Sequence, residues 1–160
     1  MRALSTTRTV RGNRLLAATR VLVLGSLLGL AAGPARAQTE AVSPEDEARA
    51  TADLEHGRRY FLERRYAESA AAYRRVTRAA PRSARGYAGL ARAYAALGAQ
   101  RFAIPAYRRA IELLPEPPAA LYVALGDSLL ASGDRGGAAQ AYVLALRRDP
   151  ANEAARERYD

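Results

Sequence analysis

Residues 84–117 read ARGYAGLARAYAALGAQRFAIPAYRRAIELLPEP, two helical patterns divided by one glycine. Tyr87, Leu90, Ala91 and Tyr94 recur at helical spacing. Gly98 interrupts them, and Ala103, Tyr107 and Ala110 resume the period before Pro115. Apolar residues three and four apart line one side of a helix, and glycine and proline punctuate its ends. The stretch therefore predicts a helix, a turn and an antiparallel helix, with small residues where the two must approach closely. If that reading is right, the rest of the chain should contain the same unit.

It does. Pro81, Pro115 and Pro150 stand 34 (115 − 81) and 35 (150 − 115) residues apart, and Tyr73, Tyr107 and Tyr142 precede them in the same order. A first unit spans about 50–83, with Gly57 and Tyr60 in one helix and Tyr66, Ser69, Tyr73 and Val76 in the next. A third spans 119–152, with Tyr122, Leu125, Gly126, Ala138, Tyr142 and Ala145. The extra residue before the third unit fits the loop Glu116-Pro117-Pro118. In the first unit Asp53 and His56 take the places of the large aromatic and the leucine, as suits an end unit with nothing before it to cover.

The pattern of large aromatic, Leu-Gly, Tyr, Ala, Tyr, Ala and Pro resembles the tetratricopeptide repeat. The resemblance implies an all-α fold: a short right-handed superhelical solenoid of antiparallel helix pairs over 44–160, closed by a partial capping helix over 153–160. Gly57, Ala91 and Gly126 are expected opposite Ser69, Ala103 and Ala138. Tyr73, Tyr107 and Tyr142 are expected to fill the gaps between successive units.

Local signals add detail. Ser43-Pro44-Glu45-Asp46 starts the first helix, with Ser43 as cap, and the helix is expected to run to Arg64. Proline inside a helix removes a hydrogen bond and clashes with the preceding turn. Pro105 therefore predicts a helix starting late, near Ala103, or kinked. Gly133 marks a turn, Asp134 is a plausible cap, and Gly136 and Gly137 weaken the helix they begin. Asn152-Glu153 is positioned to cap the last helix.

Composition narrows the function. The chain has 160 residues, enough for one domain. Val, Ile and Thr are sparse after Val42, which disfavours strands. There is no Cys, so disulfides and thiolate metal sites are excluded, and the single His56 cannot build a His-rich site. The net charge of +9 suggests nucleic acid or anionic membrane. Yet every one of the 25 basic residues is Arg, as a GC-rich genome would favour, and six of them precede residue 38 with no acid among them. Without that segment 19 Arg (25 − 6) face 16 acids, leaving about +3. Nucleic acid is not expected as a partner.

Residues 1–37 read as a secretory signal peptide followed by a linker over 38–43. Arg2, Arg8, Arg11, Arg14 and Arg20 precede the apolar run Val21–Ala32. Gly33-Pro34 breaks it, and Ala35-Arg36-Ala37 supplies a small-x-small cleavage site. The run is shorter than the roughly 20 residues that span a bilayer, so no stable membrane span remains after cleavage. The expected location is periplasmic or secreted. The alternative is an uncleaved inner-membrane anchor, with Leu15 to Ala18 extending the apolar stretch.

No nucleophile, base and orienting group fall together, no glycine-rich phosphate loop follows a strand, and no cofactor is implied. In the resembled family the first helices line a concave groove that takes extended peptides or partner helices. By position that groove would hold Leu54, Arg58, Phe61 and Leu62, then Arg85, Ala88, Arg92 and Ala95, then Val123, Asp127, Leu130 and Ala131. Arg58 and Arg92 occupy equivalent positions, Asp127 continues their row, and an acidic peptide could pair with both guanidiniums. The alternative is an ordinary solvated face. The family's clamp for chaperone carboxy-terminal carboxylates requires basic and amide side chains where this chain has Leu54, Arg58, Gly89, Ala120 and Ala124, so that activity is not implied. Arg74-Arg75 and Arg108-Arg109 form either a basic outer stripe or a solvated face. The expected function is a non-enzymatic scaffold or adaptor of the bacterial cell envelope with a protein or peptide partner. The alternatives are a regulatory or carrier subunit of an envelope enzyme, and self-association through an apolar end face.

Overall fold

The structure, a computed structural model, describes residues 43–159. The expected signal peptide and nearly all of the linker lie outside these residues. Seven helices and no strand occur among them: α1 (Pro44–Leu62), α2 (Tyr66–Ala79), α3 (Ala84–Ala96), α4 (Gln100–Glu112), α5 (Ala119–Ala131), α6 (Arg135–Arg148) and α7 (Glu153–Tyr159). Helices α1/α2, α3/α4 and α5/α6 form three pairs stacked into an all-α solenoid, with α7 against α6. Substantial contacts join only helices adjacent or next but one in the chain, and the first helices α1, α3 and α5 touch in series.

The helix starts follow the capping chemistry of the sequence. Ser43 Oγ accepts from the Asp46 backbone N–H at 3.1 Å, with Glu45, Asp46 and Glu47 in the first turn. Asp134 accepts from the Gly137 N–H at 2.8 Å and Asn152 from the Ala155 N–H at 3.0 Å.

The turns within the pairs share one closure. After α3, Gly98 adopts φ 71° and the Ala99 N–H reaches back to the Tyr94 carbonyl at 2.9 Å. After α5, Gly133 (φ 92°) and the Asp134 N–H to Leu129 bond, also 2.9 Å, repeat it. In the first pair the helix stops at Leu62, two residues short of the expected Arg64, because Arg64 itself takes the left-handed place at φ 58°. The Arg65 N–H then closes on the Tyr60 carbonyl at 2.8 Å. A non-glycine residue pays about 1–2 kcal/mol for that conformation.

The expected late start at Ala103 is corrected. Helix α4 begins at Gln100 and carries Pro105 within it. Its first turn is complete before the proline, with the Ala103 N–H on the Ala99 carbonyl at 3.1 Å. Pro105 and Arg101 are both exposed, so the Arg101 carbonyl that loses its helical partner faces solvent. The buried Ala103, Ala106, Tyr107 and Ala110 hold the helix in place.

Small residues let tyrosines wedge between helices. The Tyr73 ring lies between Gly57 and Gly89, where a Cβ on Gly57 would approach it to 2.8 Å and one on Gly89 closer still. It thus joins the first pair to the second. Tyr142 lies as tightly against Gly126. Ser69 donates to the Gly57 carbonyl at 2.8 Å across the α1/α2 contact. Ala91, Ala103 and Ala138 are almost wholly buried, as the close crossings require. Removing a buried ring of this kind typically costs about 3–5 kcal/mol. On the outer side Arg75 grips Asp53 through Nη2 at 2.6 Å and Nε at 2.9 Å, and Arg109 pairs with Glu112 at 3.1 Å. Each expected Arg pair is therefore half engaged within the molecule.

Candidate functional site

Arg58, Arg92 and Asp127 stand 34 (92 − 58) and 35 (127 − 92) residues apart on α1, α3 and α5. Each lies 15 residues before its pair's tyrosine, Tyr73, Tyr107 or Tyr142. Tyr73 lies between α1 and α3, and Tyr142 lies against α5; the Tyr107 phenol feels the charges of Arg92 and Asp127.

At the amino-terminal end of this row Arg58, Phe61, Leu62, Tyr73, Gly89 and Arg92 enclose a cavity of about 190 Å³. Four of the expected groove residues, Arg58, Phe61, Leu62 and Arg92, meet there. The Arg92 guanidinium lies over the Phe61 ring, 4.6 Å from its centroid, an arrangement that holds the cation by the ring's quadrupole. Phe61 is itself braced by Tyr66 at 5.2 Å. Arg58 makes a loose pair with Glu55 at 3.4 Å. Arg92 and Arg85 have no ion-pair partner among the described residues. Leu62 is 71% exposed at the rim. Burial pushes the Tyr73 phenol above its ordinary value, against the pull of the Arg92, Arg58 and Arg85 charges.

The other expected residues are placed differently. Leu54 packs half-buried against the core of Ala70, Tyr73, Leu90 and Ala93, and borders a separate cleft with Ala50 and Val76. Arg85 is exposed and does not line the cavity. Val123 is buried in the core, which removes it from the groove, whereas Leu130 is exposed. Asp127 is engaged within the chain: it accepts from the Tyr142 hydroxyl at 2.9 Å and pairs with Arg158 Nε at 2.6 Å. Burial first, and then the bond to Asp127, push the Tyr142 phenol up to about 12. The Tyr107 phenol also reaches about 12, through burial.

Tyr73, expected only as scaffold, and Gly89, expected only as a clamp position without the required side chain, both line the cavity. The signal that could have found them is the shared register of Tyr73 and Tyr142, read together with the charge 15 residues before each. His56 is exposed on α1 beside Tyr60. No cluster of metal-binding side chains occurs among the described residues, and none of their helices is long and apolar enough to cross a membrane.

A family profile described as tetratricopeptide repeat matches residues 84–117 and 119–152. No curated protein matches the chain. Among solved structures, the second such domain of human RPAP3, in complex with an HSP70 peptide, aligns at 22% identity and TM-score 0.68, over 71% of this chain and 94% of that one. The TPR2B domain of yeast Sti1, in complex with an Hsp70 peptide, aligns at 27% identity and TM-score 0.63, over 69% and 90%. An O-GlcNAc transferase of Thermobaculum terrenum aligns at 26% identity and TM-score 0.65, over 73% of this chain but 22% of the enzyme.

Proposed function

We propose, from the premise that this chain belongs to the tetratricopeptide-repeat family, that it is a non-enzymatic adaptor that holds a peptide or helix of a partner protein against its first helices. Domains of this family are peptide-binding interaction modules, and similar structures carry bound chaperone peptides. The observation that carries the reading for this chain is the cavity of Arg58, Phe61 and Arg92, where exposed cations and an apolar rim lie together between two repeats. Such a mixture suits an acidic, partly apolar segment.

The adaptor serves the bacterial cell envelope in this reading. The support is the order of basic stretch, apolar run and Ala35-Arg36-Ala37 before the repeats. Amino-terminal sequencing of the exported protein should begin at Gln38, and a start at Met1 would contradict cleavage.

Capture of cross-linked partners from envelope fractions, with the full chain as bait, tests the docking face. A partner recovered by the parent chain should be lost with the Arg58→Glu/Arg92→Glu variant. Its retention would remove this face from the function. A second reading, an enzyme's regulatory or carrier subunit, draws on the likeness to a segment of the transferase. It requires one stoichiometric enzyme among the captured proteins.

A further inference from the structure

The two ends of the charged row differ in one respect. At the carboxy-terminal end a carboxylate is already in place: Asp127 sits between the Tyr142 hydroxyl at 2.9 Å and the Arg158 guanidinium at 2.6 Å. At the amino-terminal end the same two kinds of donor recur with no acid bonded to the tyrosine; the nearby Glu55 holds only Arg58, loosely, at 3.4 Å. Tyr73 occupies the register of Tyr142, wedged between glycines as Tyr142 is wedged against Gly126. Its hydroxyl has no hydrogen-bond partner among the described residues, because the residue 15 positions earlier is Arg58, a donor, where Tyr142 has Asp127. Arg92 and Arg58 border the same cavity and supply the guanidiniums.

We infer that this cavity is a receptor for a carboxylate side chain, an Asp or Glu within a partner segment, held as Asp127 is held: accepting from the Tyr73 hydroxyl and pairing with Arg92 and Arg58. The inference rests on the docking reading above and names its ligand. Two cations beside a phenol donor complement an anion. Phe61 and the exposed Leu62 offer apolar surface to the residues flanking the acid. The intramolecular copy shows a phenol and a guanidinium of this scaffold holding one carboxylate between them. Gly89 is part of the receptor, since any side chain there would overlap the Tyr73 ring.

Tyr73→Phe is the discriminating change. It keeps the ring between Gly57 and Gly89 and removes only the donor, so the fold should persist, which circular dichroism and the melting temperature verify. The probes are acetylated, amidated nine-residue peptides with a central Asp between Leu or Phe residues, and matched sets with Asn or phosphoserine at the centre. Fluorescence anisotropy with the full chain should show Asp peptides binding at least about tenfold tighter than their Asn counterparts. Tyr73→Phe should weaken the Asp set several-fold, leave the Asn set unchanged, and be matched or exceeded by Arg92→Gln. Equal affinity for Asp and Asn, binding of neither set, or an unaltered Tyr73→Phe variant overturns the receptor. Preference for phosphoserine independent of Tyr73 overturns it in favour of a phosphate site. Loss of the captured partner with Arg58→Glu/Arg92→Glu, alongside an inert Tyr73→Phe, would sink the receptor while leaving the docking face standing.

Discussion

At the scale of single residues, the tyrosines govern response to pH. The Tyr107 and Tyr142 phenols are pushed up to about 12, chiefly by burial, from an ordinary value of 10.0. Between these values the folded chain keeps protons that the unfolded chain has released. The stabilisation is therefore complete below about pH 10 and lost as pH rises through about 12, on the order of 2–3 kcal/mol for Tyr107 and less for Tyr142, whose hydroxyl bonds to the part-exposed Asp127. No lysine is present to titrate across the same range, and arginine stays protonated throughout most of it. Urea unfolding at stepped alkaline pH, followed together with tyrosinate absorbance, should show the denaturation midpoint falling between about pH 10 and 12, before these two phenols ionise in the folded chain. A flat midpoint across that interval would show that burial does not hold these protons.

At the scale of elements, Pro105 is the clearest conflict between local preference and packing. Its ring interrupts α4 on the exposed side, where the Arg101 carbonyl has lost its partner. Pro105→Ala should restore that bond and raise stability by about 1–3 kcal/mol, read from thermal or urea denaturation. A decrease would mean that the proline's restriction of the unfolded chain outweighs the lost bond. The helices themselves were legible in the sequence because period, cap and terminator agree: Gly98 and Gly133 mark the turns, and Ser43, Asp134 and Asn152 start helices. What stayed illegible was tertiary. Arg64 carries no mark of a left-handed residue, and only the closure of Arg65 onto Tyr60 demands it. The buried Ala103 and Tyr107 override the proline. In the site, the equivalent spacing of Arg58 and Arg92 showed in the sequence. The engagement of Asp127 by Arg158 did not, because it depends on where the seven-residue α7 docks.

At the scale of the whole molecule, that contact fixes how the stack ends. Helix α7 buries Ala155 and reaches back to α5 through Arg158. Both side chains of the ion pair are about two-fifths exposed, so Arg158→Ala should cost no more than about 1 kcal/mol of global stability. Amide exchange should nevertheless quicken across α7 while remaining slow in α3 and α4, because end units of a stacked array open before interior ones. Uniform exchange in the variant would show that α7 is held by its apolar contacts alone. The order of contacts also has a kinetic consequence. Since the substantial contacts among the described helices join neighbours and next-but-one neighbours along the chain, distant segments need not find one another before structure is rewarded. The loops closed on the way to the native state are short, the conformational search is local, and the repeat array should fold among the fast helical domains, on the microsecond to millisecond scale.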